Sequence, residues 1–173
     1  MPTNTYTPLA TYTVSSNTTT NITFSSIPQT YKHLLIKMQT RSTVNNEQWS
    51  FAPITSVGGT ASNLSNFYTR FTLTASSDVQ ANSSMNFFYG NGPLAVSGAF
   101  GHLELFFADY ASTSKYKTVH FHFHGGGDAD NNFYHAHGAG LSSENTAIST
   151  ITFAAGNGYA AGTNITLYGL SNS

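Results

Sequence analysis

Bulky and apolar residues alternate with small polar ones along most of the chain, the period-two signature of half-buried strands. "TYTPLATYTV" alternates from Thr5 to Val14, and "NITFSSI" puts Ile22 and Phe24 on one face. "YKHLLIKMQT" turns Leu34, Ile36 and Met38 one way and Lys37 and Gln39 the other. The runs "WSFAPIT", "NFYTRFTLT", "MNFFYG", "GHLELFFADY", "KTVHFHFH", "AISTITFAA" and "TNITLYGL" follow. Thr, Ile, Val, Phe and Tyr dominate them, and these residues fit a pleated surface. Clusters such as "SVGGTASN", "GNGP" and "HGGGDADNN" separate the runs as turns. The spacing predicts an all-β fold of roughly eight to ten strands. The expected form is a jelly-roll-like antiparallel β-sandwich, with a plain Greek-key sandwich as the alternative. Its core is expected to hold Leu34, Ile36, Met38, Leu103, Leu105, Ile151, Phe153, Ile165 and Leu167. No run has helical period, although "ASSDVQANSSMN" has room for one helical turn. Pro53 implies an edge strand or bulge in "WSFAPIT".

A length of 173 residues favours one domain. Residues 1–15 read as an N-terminal arm and first strand, and residues 16–173 as the sandwich. "MPTNTYTPLA" is polar, carries prolines and is expected to be free to reach a neighbour.

Charge is scarce. Asp, Glu, Lys and Arg make up 8% of residues, against about 25% in an ordinary globular protein. Thr, Ser, Asn and Gly keep the surface wet instead. With a formal net charge of −1, nothing steers the chain towards nucleic acid or anionic lipid, so neither is an expected partner. Near-zero net charge favours self-association. The absence of cysteine removes disulfides and thiolate metal sites. The N-terminus has neither the basic nor the apolar region of a signal peptide, and no apolar run approaches the ~20 residues of a membrane span. A soluble protein is expected.

Five of the seven histidines, His120, His122, His124, His135 and His137, fall between Lys117 and Gly140. In "HFHFH" the histidines share one face and Phe121 and Phe123 the other. Residues i and i+2 lie ~6.6 Å apart along a strand, so neighbouring imidazoles can chelate one zinc, copper or nickel ion. "FYHAH" can return as an antiparallel partner and bring His135 and His137 to the same face. All five are therefore candidate metal ligands. Burial of the phenylalanines explains the alternation without a metal, and a polar sheet face or subunit contact is the simpler reading. No cofactor is expected. "DADNN" (128–132) has the flavour of a calcium loop but lacks the Gly and distal Glu of the helix-loop-helix motif, so it reads as a turn.

Catalytic patterns are missing. The carboxylates are Glu47, Asp78, Glu104, Asp109, Asp128, Asp130 and Glu144, and no motif sets two of them across a cleft as a glycosidase requires. No nucleophile elbow, phosphate loop or zincin helix occurs. A non-enzymatic protein is expected. Aromatics, 14% of residues, are expected mainly in the core, with stacking on sugar rings as the alternative.

Three stretches carry a resemblance. "ITFSSIPQTYKHLLIKMQTRS" (22–42), "GHLELFFADYASTSKYKTV" (101–119) and "STITFAAGNGYAAGTNITLYGL" (149–170) together resemble a family of tailed-phage virion proteins frequent in aquatic phages. They cover about a third of the chain and run in the family's order. The resemblance implies a structural protein of head or tail with a jelly-roll-like fold and no catalytic residues. The leading role it implies is a capsid decoration, or cement, protein on the outer surface of the phage head. Such a protein forms a homotrimer and clamps adjacent subunits of the major capsid protein. The alternative is a tail or fibre-tip module binding a host glycan. The histidine strand is not part of the family's pattern.

Overall fold

The computed structural model describes residues 6–43, 54–57, 60–61, 64–72, 77–82, 91–93, 95–126, 133–142, 145–155 and 158–171. Pro53, "MNFFYG", "DADNN" and Met1–Thr5 of the expected arm lie outside the described residues. The described residues form twelve strands: β1 (Tyr6–Thr13), β2 (Ile22–Phe24), β3 (His33–Thr40), β4 (Ile54–Val57), β5 (Thr60–Ala61), β6 (Leu64–Thr72), β7 (Ser77–Asn82), β8 (Gly101–Phe107), β9 (Thr118–Gly126), β10 (Phe133–Ser142), β11 (Ile151–Phe153) and β12 (Asn164–Leu170). The described residues contain no helix. The strands form an eight-stranded sheet in the order β1-β12-β3-β8-β9-β10-β6-β7 and a four-stranded sheet in the order β2-β11-β4-β5. Every strand pair is antiparallel. The expected all-β antiparallel sandwich is therefore observed, with sheets of unequal size.

One contiguous core joins the two sheets. Leu34, Ile36, Met38, Leu103, Leu105, Ile165 and Leu167 from the large sheet are buried with Ile22, Phe24, Ile151 and Phe153 from the small one. All nine residues expected in the core are in it. Phe24 and Phe153 meet edge to face, with ring centroids 6.4 Å apart, a favoured aromatic geometry. At one end of the sandwich Tyr31 lies over β12. A Cβ added at Gly169 would sit 2.5 Å from the Tyr31 ring, so glycine is required there by close approach.

Three expectations need correction. "ASSDVQANSSMN" contributes strand β7 rather than a helical turn, because pairing with β6 along the full length of β7 outweighs weak local preference. The strand count exceeds the expected range partly because "SVGGTASN", read as a turn, holds Val57 and Thr60 as paired strand ends. Residues 6–10 are not a free arm: they belong to β1 and pair with β12 from Tyr6↔Leu170 onward. β1 is an edge strand of the large sheet, and its register shifts between Pro8 and Ala10. A bulge on an edge strand is a position that tolerates proline.

Candidate functional site

Three adjacent strands assemble the histidine face. In β9, Phe121 and Phe123 are buried while His120 and His124 are exposed and His122 is half-buried. Burying two phenylalanines on one side of a pleat commits i±1 residues to the other. In β10, Ala136 is buried, His135 half-buried and His137 exposed. The register sets His135 opposite His124 and His137 opposite His122. On the other flank, β8 sets His102 opposite His124 and Glu104 opposite His122. Six of the seven histidines thus share one face.

The cluster tightens to three rings. His122 and His124 have centroids 4.3 Å apart, His122 and His135 4.7 Å, and His124 and His135 4.6 Å. His124 Nδ1 and His135 Nδ1 are 3.2 Å apart, within hydrogen-bond range, so one ring donates and the other accepts. One nitrogen from each of the three rings falls within 4.8 Å of the others. Among the five candidate metal ligands, His122, His124 and His135 come together. His137 lies against His135 at 5.7 Å, and His120 stands further along β9, opposite Ala139.

Burial, then the neighbouring His124, lowers the pKa of His122; burial, then His122 and His124, lowers that of His135. Folding therefore disfavours protonation of both rings. The native state binds fewer protons than the unfolded chain below the ordinary imidazole value of ~6.5, so stability falls as pH drops through that value. We expect the melting temperature, measured with chelator present, to fall between about pH 7.5 and about pH 5.5. The fall should be shallower in a His122→Gln/His135→Gln variant. Identical profiles for variant and parent would refute this assignment.

His102 and Glu104 were not foreseen beside the cluster. Alternation in "GHLELFF" puts them outward, but only strand register shows which histidines they flank. Glu104 Oε1 is 2.9 Å from Lys37 Nζ and 3.5 Å from His102 Nε2. The Lys37 hydrogen bond holds its carboxyl below the ordinary range.

A second polar centre lies at the end of β8. An open depression of about 230 Å³ is lined by Tyr31, Lys32, Asp109, Ala111, Ser112 and Lys115. Asp109 adopts φ 46°, a left-handed conformation that Asp tolerates. Its carboxylate contacts Lys115 Nζ at 2.9 Å and Lys32 Nζ at 3.3 Å, and Lys115 first, then Lys32, lowers its pKa. Its backbone N–H donates to His33 Nδ1 at 3.1 Å. The neighbouring Tyr110 is buried and donates its hydroxyl to the carbonyl of Pro28. The Asp109 carboxylate, held between two ammonium groups, ties Lys32 ahead of β3 to Lys115 in the turn after β8.

Lys117 is also structural. It is 1% exposed, and its Nζ donates to the carbonyls of Ser112, Lys115 and Asn145 at 2.6, 2.7 and 3.2 Å. Burial lowers its pKa, while the Asp109 charge acts the other way. Sequence reasoning missed it because a lysine ahead of a strand resembles any solvated charge.

No family model, no curated protein and no solved structure matches this chain.

Proposed function

We propose that the protein is a non-enzymatic structural component of a tailed-phage particle, specifically a head decoration protein that binds adjacent major capsid subunits as a homotrimer. The observation that carries this reading is where the three family-like stretches fall. They supply β2 and β3, then β8 with the following turn, then β11 and β12. β2 pairs with β11, and β3 lies between β12 and β8. Their distinctive polar residues are engaged in architecture: Tyr110 on Pro28, Gln29 on the Ile27 and Ile148 carbonyls, Asp109 between two lysines. A motif built from packing and turn residues, with no catalytic set, is what a scaffold protein requires.

The surface supports the same reading. Edge strand β1 is largely exposed, with Tyr6 at 55% and Tyr12 at 43%. Tyrosines of this kind offer apolar area and a hydroxyl together, a combination enriched at protein contacts. A protein that binds the assembled shell and not its dissociated subunits stabilises the shell by mass action. The reading is tested by whether the protein co-purifies with intact heads in shell-like copy number. Recovery only in the particle-free fraction would overturn it.

A further inference from the structure

We propose that His122, His124 and His135 form a surface site for one divalent ion of the zinc, copper and nickel group, with its remaining coordination positions facing solvent. The inference rests on the geometry of the three rings and is independent of the particle reading.

Neutral imidazole is a preferred ligand for these ions and a poor one for calcium or magnesium. Zinc–nitrogen bonds of ~2.0–2.1 Å in a tetrahedron put ligand nitrogens about 3.3 Å apart. His124 Nδ1 and His135 Nδ1 already stand 3.2 Å apart, and one ring nitrogen from each of the three residues lies within 4.8 Å of the others. The ligands come from within paired strands, two from β9 and one from β10, directly opposite and diagonal in register. A ladder holds such positions more tightly than a loop does.

The position of the cluster defines what kind of site it is. His124 is exposed and His122 and His135 are half-buried, so a bound ion meets water. Three protein ligands with an open position differ from the closed four-ligand set of a structural zinc. Such an ion can take a further ligand from outside, a small anion or a donor group of another molecule. Glu104 stands opposite His122 in the ladder, with its carboxylate paired to Lys37.

The test uses the full chain without a histidine tag, stripped with chelator and titrated with Zn²⁺ by calorimetry. We expect saturable binding of one ion per chain. His124→Gln and His135→Gln should each weaken it at least tenfold, since even changes to residues behind metal ligands cost 10–100-fold. His120→Gln, on the same face but outside the triangle, should leave it unchanged. Co²⁺ added to the unmodified protein should give the intense visible bands of four-coordinate cobalt, a readout that needs no variant to fold. No saturable binding overturns the proposal. So does a cobalt spectrum unchanged from that of the free aqueous ion, or a His120→Gln effect equal to that of the ligand variants.

Discussion

Phe123→Ala is expected to destabilise the protein by about 3–5 kcal/mol, the cost of emptying a buried aromatic site. His124→Ala, one residue along, should change stability by less than about 0.5 kcal/mol when chelator is present, as surface substitutions do. Phe123 is 2% exposed and sits between Leu103 on β8 and Ala136 on β10. Its ring also covers Gly125, where an added Cβ would approach the ring tip to 2.3 Å. Neighbours on paired strands cannot collapse far into the space left behind, so most of the cavity cost persists. Urea unfolding of the two variants measures the contrast directly. Equal losses would mean that the histidine face is as much a part of the core as the phenylalanine face.

Lys117→Met should cost about 3 kcal/mol, because three part-buried carbonyls lose their donor at about 1 kcal/mol each. For a chain of this size that corresponds to a fall in melting temperature of roughly 6–12 °C. Methionine keeps the side-chain length and removes all three donors, so lost packing does not confuse the result. Arg41 does a related job elsewhere, donating to the carbonyls of Val96, Ala99 and Ala95 at 2.9–3.1 Å. In a chain this poor in charge, both cations are spent on loop carbonyls that no ladder satisfies. A thermally unaltered Lys117→Met variant would show that those carbonyls find other donors.

Much of the fold is legible in the sequence because period two leaves little freedom once one face must be buried. Leu34, Ile36 and Met38 could be assigned inward from "HLLIKMQT" alone, and Phe121 and Phe123 fixed the outward direction of three histidines. Register is not legible in this way. His102 opposite His124 and His135 opposite His124 depend on which residues of separate strands hydrogen-bond, and alternation is unchanged by a two-residue slip. The triangle of His122, His124 and His135 therefore emerges only in the folded sheet. The docking of Tyr6–Ala10 on β12 was obscured by Pro8, which suggests an irregular arm yet is well tolerated beside a bulge on an edge strand. Lys117 was hidden because its partners are backbone carbonyls, which leave no mark in side-chain pattern.

Antibody labelling of intact phage particles, viewed by electron microscopy, tests the central claim most directly. A head decoration protein gives label spread evenly over the head surface. Label confined to one vertex would move the role to the tail and its glycan-binding alternative. Particles that carry no label and contain none of the protein would contradict a structural role in the virion.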